Sequence, residues 1–140
     1  MMTTFYTALI IVILTYNMVI KNYSVEYSRD IQELFKMHFT DPEYLEELTS
    51  ALGSPLFTFY IAEEDGELVG VVGVRQVADF LSTYALTDNP IELYVITSKY
   101  PRQGIATVLL MHLMSQLRKL GVTEVICYSP ETHNESWNFY

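Results

Sequence analysis

Between Ile91 and Gly121 the hydrophobic pattern changes period once, from that of a strand to that of a helix. Ile91, Leu93 and Val95 alternate with Glu92, Tyr94 and Ile96, which predicts a partly buried strand over Ile91 to Thr97. From Gly104 the period lengthens. Ile105, Leu109, Leu113, Leu117 and Leu120 fall on one helical face, with His112, Gln116 and Lys119 on the other side. Arg118 and Lys119 put positive charge at the helix C-terminus, and Gly121 can take the left-handed conformation just beyond it. Glu124 to Ser129 is then a short strand closed by Pro130. A strand, a helix and a second strand make a crossover unit, so the two strands are expected to lie parallel.

The chain before this unit reads differently. Phe57, Phe59 and Ile61 alternate with Thr58, Tyr60 and Ala62, Asp65-Gly66 supplies a tight turn, and Leu68 to Val74 returns as an antiparallel partner. Gly70 and Gly73 mark a bulge or close packing. Two helices are expected upstream. One has Ser28 as N-cap and Ile31, Leu34, Phe35 and His38 on one face; the other has Asp41 as cap, Pro42 at its first position and Leu45, Leu48 and Leu52 inward, and stops at Gly53. Val77 to Pro90 reads as a loop with some helical character, and Met18 to Tyr23 supplies a first strand. An antiparallel hairpin joined to a parallel crossover gives an α+β fold, with a mixed, mostly antiparallel sheet flanked by helices.

Half of the 140 residues are hydrophobic, enough for one domain with a core. A net charge of −9, with only eight basic residues and no basic patch, argues against nucleic acid as a partner. That acidic surface either attracts a cationic amine or is simply solvated. The single cysteine, Cys127, excludes an internal disulfide, suits a reducing compartment and falls in an apolar strand pattern as a small core residue. His38, His112 and His133 lack metal-ligand spacing and read as surface or helix-face residues, so no metal is expected. The first 20 residues carry no charge. Residues 1–17 are either a membrane segment or an extension upstream of a natural start at Met18, and the rest of the chain is read as cytoplasmic.

In Pro101-Arg102-Gln103-Gly104-Ile105-Ala106-Thr107 a helix N-terminus follows directly on a strand. Its free N–H groups, the helix dipole, the Arg102 charge and two small residues would together suit a pyrophosphate. The same residues also suit a plain strand-to-helix connection.

This segment resembles the acetyl-CoA-binding segment of the GNAT superfamily of N-acetyltransferases, whose pattern is Gln/Arg-x-x-Gly-x-Gly/Ala. Gly104 and Ala106 fill the last two fixed positions, and Pro101 departs from the first. The turn is one residue longer than is usual there, so the preceding strand is expected to carry a bulge. A second resemblance is His133-Asn134-Glu135-Ser136-Trp137-Asn138-Phe139-Tyr140, which is similar to the Asn-x-x-Ala/Ser-x-x-Phe-Tyr helix of the same superfamily. The resemblance runs from about residue 18 to the end of the sequence, where the superfamily's fold normally continues into one or two further strands.

The resemblance implies direct transfer of an acetyl group from acetyl-CoA, as co-substrate, to a primary amine. The cofactor would be cradled by the N–H groups of Arg102, Gln103, Gly104, Ile105, Ala106 and Thr107. Its pantetheine arm would pair with Tyr94, Val95, Ile96 and Thr97, and Asn134 would touch it. Tyr140 would serve as general acid and Glu92 as general base. Glu92 is otherwise a solvent-side strand residue. Glu43, Glu46 and Glu47 border the acceptor side as an amine-attracting or merely solvated face. An acyl-CoA-binding protein without turnover, a membrane-anchored interaction module and a homodimer also fit the sequence.

Overall fold

Asp65 and Gly66 adopt φ values of 52° and 81°, the two successive positive angles of a turn whose twist matches the strands it joins. That turn sets the centre of the sheet, where β2 (Phe57–Glu64) and β3 (Glu67–Gln76) run antiparallel. The computed structural model describes residues 18–101 and 103–128. Among them β1 (Met18–Asn22) lies antiparallel to β2, β4 (Pro90–Ser98) antiparallel to β3, and β5 (Glu124–Cys127) parallel to β4. The strand order is β1-β2-β3-β4-β5, so the mixed, mostly antiparallel sheet forms as expected. Met18 to Ile20, the end of the uncharged N-terminal stretch, pair with Glu64 to Ala62 in this sheet. The membrane-segment and upstream-extension readings of residues 1–17 fall outside the described residues. No helix among the described residues is long and apolar enough to cross a membrane.

Helices cover both faces of the sheet. On one, α1 (Ser28–His38) and α2 (Pro42–Leu52) bury Ile31, Leu34, Phe35, Leu48 and Leu52 against Phe59, Ile61, Leu68 and Val71. Asp41 caps α2 as expected, its carboxylate accepting the Glu43 N–H at 3.0 Å. Ser28 does not cap α1. The chain enters that helix through a 3-10 turn at Val25–Tyr27, and the Ser28 hydroxyl accepts from the Gln32 amide at 3.0 Å instead. A four-residue helix, α3 (Asp79–Ser82), interrupts the loop before β4. The Glu124 carboxylate fastens the rest of that loop, accepting the Leu86 and Thr87 N–H groups and the Thr87 hydroxyl. These bonds, the Leu86 N–H first, hold Glu124 below the usual carboxylate range. Pro90 opens β4 rather than closing the loop, a strand position where its missing N–H does least harm.

The other face belongs to α4 (Ile105–Lys119), whose Ile105, Leu109, Leu113 and Leu117 pack on Val69, Val72, Val74 and Leu93. Leu120 departs from expectation: it is 73% exposed, and Val122 takes its place in the core. Its backbone leaves the helix, and the Gly121 and Val122 N–H groups bond the Arg118 and Leu117 carbonyls. This closure swings the chain so that Val122, not Leu120, meets Leu117. Cys127 also departs from expectation, being exposed on the edge strand rather than in the core.

Gly70 sets how closely α4 approaches. A Cβ there would lie 2.7 Å from Ile105 Cγ2 and 2.9 Å from Leu109 Cδ1, both buried. Alanine usually suits a strand better than glycine, but here it would push the helix off the sheet. Gly70→Ala is expected to lower stability by about 1–3 kcal/mol, read as an earlier urea midpoint with an unchanged slope.

Candidate active site

The expected alternation of β4 fails in mid-strand. Val74 lies opposite Leu93 and Gly73 opposite Val95, so Tyr94 is the extra residue of a bulge. Ile91 and Leu93 face α4, whereas Val95 packs with Tyr94 under α1 and α2. This corrects the expectation that Ile91, Leu93 and Val95 share a face, because one inserted residue inverts everything after it. The bulge inferred from the long turn is therefore in the strand, but at its middle.

Past the bulge β4 has no parallel neighbour among the described residues. Pairing between β4 and β5 runs from Pro90 with Glu124 to Leu93 with Cys127 and stops, while β4 continues on β3 as far as Ser98. The Lys99 N–H bonds the Val69 carbonyl at 2.7 Å. In an antiparallel ladder the backbone groups alternate in direction. Those of Thr97 and Val95 therefore point toward β3, and those of Ile96 and Ser98 toward the edge that no described strand covers. Of the strand residues singled out in the sequence, Ile96 presents main-chain groups to the gap. Val95 and Thr97, 4% and 7% exposed, spend theirs on the sheet.

At the end of this gap stands the N-terminus of α4. Gly104 is its N-cap, with φ of 77°, a left-handed conformation open to glycine at no steric cost. A Cβ there would meet nothing within 4 Å among the described residues. The Val108 N–H bonds the Gly104 carbonyl at 3.0 Å, so the N–H groups of Ile105, Ala106 and Thr107 precede any intrahelical acceptor. Gln103, Gly104 and Thr107 are exposed, and Ala106 is half-buried. Ile105 is buried beneath α4, which leaves it only a main-chain role. Arg102, Asn134 and Tyr140 lie outside the described residues.

Glu92 is not on the solvent side. It is 3% exposed; its Oε2 pairs with Arg75 at 3.0 Å and its Oε1 accepts the Ala78 N–H at 2.9 Å. Ile91 and Leu93 face α4, so Glu92 faces the other side of the sheet beside Arg75 on β3, and that side is covered by α1 and α2 rather than by solvent. The Arg75 guanidinium in turn lies 4.5 Å from the centre of the Tyr94 ring and 5.5 Å from that of Phe57, contacts that attract a cation to aromatic faces. The Tyr94 hydroxyl donates to Glu47 on α2 at 2.8 Å. Burial first, then the Glu47 carboxylate, pushes that hydroxyl far above the ordinary phenol range. Glu47, of the three α2 glutamates, is thereby tied to the strand that borders the gap.

Sequence reasoning missed two contacts. Arg75 sits at the end of a hairpin strand and had no visible partner 17 positions away. His38 is exposed, in keeping with a surface or helix-face residue, and its Nε2 lies 2.7 Å from the Ser98 carbonyl, a contact the sequence gives no sign of. Only the tertiary fold brings 38 beside 98. His112 is half-buried against Tyr60, ring centres 5.0 Å apart, and burial followed by the Lys119 charge lowers its pKa. Among the described residues no group of three or more metal-ligating side chains converges.

Known structures share this architecture. A PaiA N-acetyltransferase from Thermoplasma acidophilum, solved with coenzyme A, superposes with a TM-score of 0.67 at 20% identity, over 88% of this chain and 86% of that one. The aminoglycoside 6'-N-acetyltransferase AAC(6')-Ig from Acinetobacter haemolyticus gives 0.69 at 18%, over 86% of each chain. A ribosomal-protein-alanine N-acetyltransferase from Brucella melitensis gives 0.68 at 15%, over 88% of each. At these identities the likeness is one of fold. No curated protein sequence matches significantly. The family model for the acetyltransferase (GNAT) family matches residues 21–140, and with β4 running past its last β5 pair toward an open helix N-terminus, the chain belongs to that family.

Proposed function

We propose that this protein is an N-acetyltransferase that moves an acetyl group from acetyl-CoA directly to a primary amine. The observation that carries the reading is the gap itself. β4 runs on beyond the last β5 pair with main-chain groups of Ile96 turned away from β3, and it leads to an exposed glycine N-cap. A pantetheine arm can add to that edge as a strand would, and a pyrophosphate fits the first-turn N–H groups of α4, to which Arg102 would add its charge. The coenzyme A bound to the Thermoplasma relative supports the same co-substrate here.

Acetyl-CoA supplies the acetyl group as a thioester. The main-chain N–H groups beside the Tyr94 bulge would polarise its carbonyl, with a loss of about 3 kcal/mol in transition-state stabilisation for each well-placed donor removed. The acceptor must lose a proton to attack. Glu92 is the base implied by the family pattern. Its engaged oxygens favour a different part for it, a fixed negative charge beside the bulge with the proton leaving through water. Asn134 would hold the cofactor, and Tyr140 would protonate the departing thiolate.

The test is release of free coenzyme A from acetyl-CoA in the presence of a panel of primary amines. Amine-dependent release supports transfer, whereas binding without release would make the protein an acyl-CoA binder. Tyr140→Phe is expected to lower kcat by about 100-fold and to leave acetyl-CoA affinity within threefold of wild type, measured by calorimetry.

A further inference from the structure

The contact between His38 and Ser98 joins the C-terminus of α1, where a basic side chain is favoured by the helix dipole, to the far end of β4. His38 is the last residue of α1, and its Nε2 is 2.7 Å from the Ser98 carbonyl oxygen. A carbonyl only accepts, so Nε2 carries the proton and donates it. Ser98 is opposite Gly70 in the register, and the Lys99 N–H is already bonded to Val69. By alternation the Ser98 carbonyl faces away from β3, toward the edge of β4 that no described strand covers past Leu93. The imidazole therefore occupies one of the few main-chain acceptors on the edge where a strand-like ligand would add.

That edge offers two equivalent seats. A ligand with amide groups can pair with the N–H and C=O of Ile96, or slip by two residues and pair with those of Ser98. Strand geometry makes the two registers similar in hydrogen bonding and about 7 Å apart along the edge. Nothing in a bare edge chooses between them, because register is weakly specified wherever main-chain bonds alone hold a strand. With the Ser98 acceptor taken, the choice is no longer even.

We propose that His38 is a positioning residue that sets the register of the acyl-CoA arm on β4, by occupying the Ser98 carbonyl and directing the arm's amide to Ile96. The proposal rests on the acetyl-CoA reading given above. It makes α1, a helix on the acceptor side of the sheet, responsible for where the thioester stops relative to the Tyr94 bulge. Without His38 the cofactor would still bind through α4, but part of it would sit one pair too far toward that helix, with its carbonyl away from the polarising N–H groups.

The experiment uses acetyl-CoA carrying carbon-13 at the thioester carbonyl, bound to the full chain and followed by NMR alongside calorimetry. It needs no knowledge of the acceptor. In the wild type the carbonyl resonance should move from its free position on binding. In His38→Ala the bound resonance should return at least halfway toward the free value, or split into two, while Kd changes less than threefold. His38→Gln, whose amide nitrogen can replace Nε2 as donor, should restore the wild-type resonance. A bound resonance in His38→Ala identical to wild type would overturn the proposal. So would a shift that glutamine fails to restore. If the wild type binds no acetyl-CoA at all, the acetyltransferase reading itself falls, and that outcome is distinct from either of the others.

Discussion

Gly104→Asp is expected to raise the Kd for acetyl-CoA by at least 100-fold while leaving the thermal midpoint near that of wild type. The two effects separate because they have different causes. Aspartate is among the few residues that tolerate a left-handed φ, here 77°, and as an N-cap it gives back about 1 kcal/mol by accepting a first-turn N–H. With nothing among the described residues within 4 Å of the Cβ position, the cost of the side chain is confined to the backbone strain of that φ. What the side chain does meet is the pyrophosphate. A carboxylate placed over the first turn of α4 takes the N–H groups meant for the ligand and adds like-charge repulsion, together about 2.7 kcal/mol or more for a 100-fold loss. Gly104→Asn serves as the control, having the same backbone demand and a similar size without the charge, and should lose less than tenfold. Calorimetric titration of the three proteins decides it. Equal affinities in the wild type and Gly104→Asp would show that the helix N-terminus is only a connection.

The second large effect is on stability. Glu92→Ala is expected to destabilise the protein by about 3 kcal/mol, the low end for removing one partner of a buried ion pair, because Arg75 is still 23% exposed. The substitution leaves a guanidinium against Phe57 and Tyr94 and strips the Ala78 N–H of its acceptor. Arg75 Nε is already buried with no partner among the described residues, so the group has little left to bind. Removing both charges, as Arg75→Met with Glu92→Leu, should recover most of the loss. The measurement is urea unfolding, where about 3 kcal/mol corresponds to a midpoint roughly 1.5 M lower for a chain of this size. A single variant within 0.5 M of wild type would mean that the pair contributes little and that a primarily catalytic Glu92 becomes the better account.

The Glu92 result bears on how the site was legible at all. The helix N-terminus at Gly104 to Thr107 could be read from the chain, because its ingredients are local: a strand ending, a glycine, a small residue and an amphipathic helix within about two dozen positions. The Asp65-Gly66 turn, the Asp41 cap and the parallel crossover are local in the same way, and each appears where its residues predict. Leu120 misled because a helical face says nothing about where the helix ends. Cys127 misled because an apolar pattern does not tell an edge strand from a central one.

The α+β order of elements, the hairpin, the helix and the glycine at its start follow from the chain alone, since those depend on period, φ preference and capping within one or two turns of chain. The remainder follows from tertiary packing. The bulge at Tyr94 depends on what β3 presents opposite, and it turned Val95 to the other face. The length of β4 beyond its last β5 pair, the pairing of Glu92 with Arg75 and the meeting of His38 with Ser98 depend on how separate elements pack. Contacts between residues 17 to 60 positions apart leave no periodic trace, because each end satisfies its own local pattern whether or not the other is there.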